Sequence, residues 1–266
     1  MGSSYRSFLL ACLLCFLIAL LPIYNQTLEG AFTLGSYPVS SNQERRLASD
    51  DRPVFHVLFG LRGDSSSFIN EWEVALKTVL LHAPIDEKLH VHLLTNNEAL
   101  EAVQDRLERT QLVGSHWRNH IQITAYNVSK YDEEWTAFLL AKIRGKDLDA
   151  RVTLGGYYRL LAGKITPPEI GIVLYLDTDV VILANLNDIS RLKDESVMFQ
   201  ASERRINSGF VLFNLKRMQH EFWELLDRLP TIEHGGDQSL LTYVAQRFPN
   251  VTGTLPARWD THLGHG

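Results

Sequence analysis

One stretch constrains the fold more than any other: Ile172-Val-Leu-Tyr-Leu-Asp177-Thr178-Asp179-Val180-Val-Ile-Leu183. An unbroken apolar run rich in β-branched and aromatic residues is the signature of a strand buried on both faces, as in a parallel α/β sheet. Such a strand cannot end on two ionised carboxylates unless something compensates them. Alternate residues of an extended segment share a face, so Asp177 and Asp179 are expected to converge on one point while Thr178 faces away. Two hard oxygen ligands at a strand end suit Mn²⁺ or Mg²⁺, whose remaining positions go to water and phosphate. The bland alternative is a polar turn with both aspartates solvated. The second apolar run, read as a further strand, argues for the metal site.

The chain has 266 residues, 45% of them hydrophobic and 21% charged, with net charge -5. That is enough for one sizeable α/β domain. The mild acidity gives no basic face for nucleic acid, and a bound divalent cation would offset it locally for an anionic ligand.

Residues 8–24 form an apolar run preceded by Arg6 as the only charge. At this length it is a minimal membrane span. A cleaved signal peptide competes, but no small-residue cleavage site closes the run. A signal-anchor with residues 1–7 in the cytosol is therefore expected, and either reading puts the rest of the chain in the secretory lumen. Cys12 and Cys15, the only cysteines, lie inside the run and read as buried apolar residues. Residues 25–52 are polar and aperiodic, a flexible stem, and the globular domain is expected over 53–266. Asn127 and Asn250 are glycosylation sequons within that domain; Asn25 also heads one, but too close to the membrane to be a good acceptor.

Within the domain, Val54–Phe59 reads as a first strand with a turn over Gly60–Asp64. A helix over 67–82 follows, with a stripe of Phe68, Trp72, Ala75, Leu76, Val79 and Leu80. Strands over 89–95 and 121–126 and a helix over 98–109 continue the alternation, which implies βαβ units and helices on both sheet faces. Ligands in such sheets bind at strand carboxyl ends near a switch in strand order. His90 and His92 alternate along a strand like a metal pair. No third ligand lies near them in sequence, and they read as ordinary strand histidines.

Three blocks now carry a resemblance. Leu174-Tyr-Leu-Asp-Thr-Asp-Val-Val-Ile-Leu183 resembles the Asp-x-Asp segment of glycosyltransferase family eight, within the A-type nucleotide-sugar transferases. Asn207-Ser-Gly-Phe-Val-Leu-Phe-Asn-Leu215 and Gly236-Asp-Gln-Ser-Leu-Leu241, the latter followed by Leu255-Pro-Ala-Arg-Trp259, fall in that family's order. The last pairing is most similar to the glucoside xylosyltransferase branch. The resemblance implies a single Rossmann-like A-type α/β domain with a mostly parallel sheet behind an N-terminal membrane anchor.

It also implies roles. Asp177 and Asp179 would hold Mn²⁺ or Mg²⁺ and, with Thr178, the donor. Gly60, Arg62 and Asp64 would line the uridine pocket, and Arg159 would meet the donor's phosphate or sugar. Glu203, Asn207, Ser208 and Gly209 would contact the donor sugar. Asp237 and Gln238 would bind sugar hydroxyls as the catalytic pair, with Asp237 also capping its helix. The family's third metal ligand comes from a histidine block beyond Leu-Pro-x-x-Trp. His262 and His265 follow Trp259 too closely to match it, so the chain reads as a fragment or as weakened in metal binding.

The function so implied is metal-dependent, retaining transfer of xylose or glucose from a UDP-sugar to a glycan or glycoprotein, on a Golgi or endoplasmic reticulum membrane. The rival is an inactive luminal sugar-nucleotide or glycan-binding protein on the same fold. If the two aspartates merely repel each other without metal, neutralising either should leave stability unchanged or slightly raised.

Overall fold

The structure, a computed structural model, describes residues 51–109, 121–131, 134, 137–138, 153–202, 206–231 and 236–259. The expected anchor at 8–24, most of the stem, Glu203, His262 and His265 lie outside the described residues. No described helix is long and apolar enough to cross a membrane.

The strands are β1 (Val54–Leu61), β2 (Lys88–Thr95), β3 (Ile121–Asn127), β4 (Ile172–Leu176), β5 (Phe199–Ser202), β6 (Phe210–Asn214) and β7 (Thr252–Leu255). The helices between them are α1 (Ser66–His82), α2 (Asn97–Arg109), α3 (Thr153–Ile165), α4 (Asn187–Arg191), α5 (Leu215–Arg217), α6 (Trp223–Arg228) and α7 (Asp237–Arg247). A π turn, Met218–Phe222, joins α5 to α6. The seven strands form one sheet in the order β3-β2-β1-β4-β6-β5-β7. Only β6 runs against its neighbours, β4 and β5; every other pairing is parallel.

From β1, third in the sheet, the chain steps outward to β2 and β3, then returns to the other side of β1 as the central strand β4. The carboxyl ends of β1 and β4 therefore flank the switch point where α/β sheets bind ligands.

The sheet separates two cores. Phe55, Val57, Phe59, Leu89, Val91 and Leu93 pack with Trp72, Leu76 and Val79 of α1 on one face. Leu58, Leu94, Val173 and Tyr175 pack with Tyr157, Tyr158 and Leu161 of α3 on the other. The stripe expected on α1 is buried except Phe68, which is only partly covered. Residues Gly60 and Leu61 belong to β1 rather than to the turn, because they pair with Leu94 and Thr95 of β2. Gly60 permits the packing of α3: a Cβ there would meet the Gly155 carbonyl oxygen at 2.8 Å.

The second apolar run is not a strand. β4 stops at Leu176, and Asp177 to Asp179 form a turn in which the Val180 amide donates to the Asp177 carbonyl at 3.2 Å. The following segment is captured by α1 instead. The Ile182 amide donates to the Thr78 hydroxyl at 3.0 Å and the Leu186 amide to the His82 carbonyl at 2.9 Å. Tertiary hydrogen bonds have overridden a β-rich composition. Strand alternation thus does not bring Asp177 and Asp179 together.

The Leu255-Pro-Ala-Arg-Trp259 block closes the far side of the sheet. Leu255 ends β7 fully buried, and the Trp259 ring stacks on Phe210 at 6.1 Å between centroids.

Candidate active site at the switch point

The site is built around Arg159. This residue projects from α3 with only 3% of its side chain accessible, and a guanidinium so placed must be paired. Its Nη2 lies 2.7 Å from Asp177 Oδ1 and its Nε lies 3.0 Å from Asp237 Oδ2. Nε also donates to the Gly156 carbonyl, and Nη1 to the Ser208 carbonyl. Because the Nε hydrogen is spent on Gly156, Asp237 Oδ2 has the ion pair but no aligned hydrogen bond. The guanidinium lies 4.3 Å over the Tyr175 ring, and the Tyr175 hydroxyl donates to Asp177 Oδ1 at 2.8 Å. Tyr175 is two residues before Asp177, on the strand face that meets α3.

Burial pushes the Asp177 carboxyl up, Arg159 and the Tyr175 hydroxyl pull it back, and Asp237 and Asp179 push it up again, for a net rise. Burial would lower the pKa of Arg159, but Tyr175, Asp177 and Asp237 hold its proton and raise it. Asp177 keeps 31% of its side chain accessible, and Asp179 is exposed on the turn. Thr178 between them is half-buried.

The antiparallel course of β6 brings its first residues to the end of β4. The Asp177 amide donates to the Gly209 carbonyl at 2.9 Å, and a Cβ on Gly209 would sit 2.7 Å from Asp177 Oδ2. Asn207 is half-buried, and its Oδ1 accepts the Gly209 amide at 3.0 Å. Ser208 is buried and contributes its carbonyl to Arg159.

Asp237 is the first residue of α7, not its cap; Gly236 holds the cap position and makes no side-chain cap bond. The expected capping role fails because the Asp237 carboxylate is drawn to Arg159. Gln238 is half-buried beside it. The Tyr157 hydroxyl, near Gly236, is buried without a hydrogen-bond partner among the described residues, and burial followed by the Asp237 charge raises its pKa against Arg159. Tyr157 and Tyr175 were not singled out for the site from sequence. The one signal was their position beside Arg159 and Asp177.

Across the switch point, the loop after β1 adjoins α3 as well. The Gly63 amide donates to Asn96 Oδ1 at 3.0 Å, which also accepts the Ala99 amide at 3.1 Å. Gly63 has φ +81°, a conformation suited to glycine. A Cβ on Gly155 would lie 3.2 Å from Arg62 Cβ, so Arg62 flanks the same helix that carries Arg159. Asp64 is exposed. Gly60, Arg62, Arg159, Asp177, Ser208, Gly209 and Asp237 are thus gathered around α3, and Asp179 and Asp64 stand at the rim. Of the sequons, Asn127 is exposed at the carboxyl end of β3, bonded to Asn97, and Asn250 is exposed in the turn after α7.

The donor set fits a hard cation in part. Asp177 Oδ1 is taken by Arg159 and Tyr175, whereas Oδ2 lies 3.5 Å from Arg159 Nη1 and retains accepting capacity. That oxygen and the exposed Asp179 carboxylate are the acceptors of the Asp-x-Asp segment that remain open among the described residues.

The only three-residue metal-type cluster among the described residues lies elsewhere. His56, His90 and His92 offer ligand atoms within 4.8 Å of one another. The third histidine comes from the neighbouring strand.

No family model matches the chain. It is 25% identical over 269 residues to the xylosyl- and glucuronyltransferase LARGE2 of Rattus norvegicus, covering 89% of this chain and 36% of that protein. The Mus musculus protein of the same name is 25% identical over 259 residues, with 85% and 35% covered. The chain thus spans about a third of the length of the curated relatives it matches. In fold it is similar to apo mouse xyloside xylosyltransferase 1, with TM-score 0.59 and 16% identity over 76% of this chain and 85% of that one. The galactosyltransferase LgtC, crystallised with donor and acceptor sugar analogues, superposes with TM-score 0.55 and 19% identity over 77% and 74%. The fold is that of the A-type glycosyltransferases, and the resemblance to family eight holds in sequence and in architecture.

Proposed function

We propose that this chain is the catalytic domain of a glycosyltransferase that moves a sugar, xylose first and glucose second, from a UDP-sugar to a glycan or glycoprotein. The observation that carries the reading is the Arg159–Asp177–Asp237 cluster at the switch point. Beside it, the Tyr157 hydroxyl and Asp237 Oδ2 are buried polar atoms without aligned hydrogen bonds among the described residues. Seven buried side-chain polar atoms among the described residues lack such a bond, and the presence of two of them beside Arg159 supports a ligand there.

In this reading Asp177 Oδ2 and Asp179 hold Mn²⁺ or Mg²⁺, which when bound offsets the charge that builds on a departing diphosphate. The chain's own residues do the rest. Arg159 and Tyr175 fix the rotamer of Asp177, and Gly209 keeps the space over its carboxylate clear. Asn207 and Ser208 line the sugar side, and Asp237 and Gln238 receive sugar hydroxyls, positioning the anomeric carbon. Gly60 near the end of β1 and Arg62 and Asp64 in the loop after it face the uridine. Arg159 spends its donors within the protein, so it serves the donor through Asp177 and Asp237. Retention at the anomeric carbon, a membrane anchor at 8–24, a stem at 25–52 and residence in the Golgi or endoplasmic reticulum complete the proposal.

Among the described residues Asp177 Oδ1 is already engaged by Arg159 and Tyr175, which favours a second reading as a donor-binding protein without turnover. Release of UDP from UDP-xylose or UDP-glucose with Mn²⁺ decides between them. Turnover lost in Asp179→Asn supports the enzyme. Calorimetric UDP binding without turnover across a broad acceptor panel supports the second reading.

A further inference from the structure

Three histidines meet on the sheet face covered by α3, well away from the switch point. His56 is the third residue of β1, while His90 and His92 are the third and fifth of β2; His56 pairs with His90 in register. His56 Nδ1 lies 2.9 Å from His92 Nε2, and the ring centroids of His90 and His92 are 3.9 Å apart. His92 is fully buried, and His56 and His90 are half-buried.

Two of the remaining ring nitrogens are held by hydroxyls on the next strand. His90 Nε2 meets the Thr124 hydroxyl at 2.8 Å, and His92 Nδ1 meets the Tyr126 hydroxyl at 3.2 Å. A ring fixed through one nitrogen presents the other, which is how metal-ligating histidines are oriented. Burial lowers the pKa of all three rings and so favours the neutral form that ligates. Lys193 near His56 works against a cation, and Glu169 near Tyr126 works for one.

We propose that His56, His90 and His92 form a second metal site, for Zn²⁺ or a similar nitrogen-seeking divalent ion, with an open fourth position for water. Zinc–nitrogen bonds of about 2.0–2.1 Å in tetrahedral array put ligand atoms about 3.3 Å apart. Nitrogens already within 4.8 Å need only side-chain adjustment to reach that spacing. The ligand type separates this site from the switch point, where hard carboxylate oxygens favour Mn²⁺ or Mg²⁺. So does distance: Leu61, at the donor end of β1, is five residues from His56, about 16 Å along the strand. The ion would cross-link strands whose histidines are 36 residues apart in sequence and so stabilise the sheet.

The test uses the full chain, dialysed against Co²⁺ as a spectroscopic stand-in for Zn²⁺. One equivalent with the intense visible absorption of four-coordinate cobalt is expected, displaced by Zn²⁺ and retained in Asp177→Asn and Asp179→Asn. Zn²⁺ should also raise the Tm. The double variant His56→Asn/His90→Asn, with circular dichroism confirming its fold, should lose the signal. Should it not fold, His90→Asn alone must weaken binding at least tenfold. Absence of a stoichiometric site, or binding that survives the histidine variants or disappears with the aspartates, overturns the proposal.

Discussion

The two ends of β1 treat buried polarity in opposite ways. At the carboxyl end, charges are paired: Asp177 and Asp237 lean on one guanidinium that is almost wholly inaccessible. Toward the amino end, His56, His90 and His92 are kept neutral and hydrogen-bond to one another and to hydroxyls. Burial penalises charge in both places. One cluster answers with a counter-charge and the other by staying unprotonated. The first arrangement is suited to an anionic ligand with its cation, and the second depends strongly on proton concentration.

Acid should separate the two ends most. In the folded chain, burial lowers His56 and His90 to about 4 and His92 to about 2, from 6.5. The folded state then binds fewer protons than the unfolded state, so this contribution is complete above pH 6.5 and is lost as pH falls through 4. At ~1.4 kcal/mol per unit, with coupled rather than independent protonation, lowering the metal-free chain from pH 7 to 4.5 should cost about 5 kcal/mol. Urea unfolding measures it. In His56→Asn/His90→Asn the pH dependence should shrink to a minor part; a curve overlaying wild type would place the acid sensitivity elsewhere.

Next in size is Arg159→Met, which keeps volume and removes the counter-charge. Two partly buried carboxylates left unpaired should destabilise the fold by about 3 kcal/mol, the low end for a broken buried pair because Asp177 is partly accessible. Denaturant midpoints at pH 7 check this. A loss below 1 kcal/mol would mean that water, rather than Arg159, compensates the aspartates.

The smallest effect divides the two aspartates. Repulsion alone led to the expectation that neutralising either would be harmless. The structure gives them different settings. Asp177→Asn removes a charge-assisted contact to Arg159 and should cost about 1–2 kcal/mol. Asp179→Asn, on an exposed turn, should stay within about 0.5 kcal/mol. Both should abolish the rise in Tm caused by Mn²⁺ with UDP. Equal melting of the two variants would contradict the asymmetry.

Much of the fold was legible because buried strands and core stripes write themselves into local composition: β1, β2, β3, β4 and α1 all fall near their expected places. The site was legible wherever a motif sits on one segment, as in Asp177 to Asp179 or Asn207 to Gly209. What escaped depends on pairing between segments. Nothing in the sequence near His90 points to His56, because the parallel register that joins them is set only when β1 and β2 align. Nothing near Arg159 says that its donors go to Gly156, Ser208 and Asp177, with Asp237 as a second ion-pair partner. Val180–Leu183 was misread for the same reason: a hydroxyl on α1 captures its backbone.

The reversed direction of β6 makes the pairing of Leu176 with Phe210 act as a ruler. It sets Gly209 against Asp177 by counting hydrogen bonds from the middle of the sheet, with no side chain in between. Loops outside the sheet can lengthen without moving that mark. A single residue inserted between Phe210 and Asn214, with the far end of the strand held in place, would slide Asn207 along β4 and turn the side chains before the insertion to the other face. Substitutions in the segment before β6 are therefore open to selection, whereas the length of this five-residue strand is not.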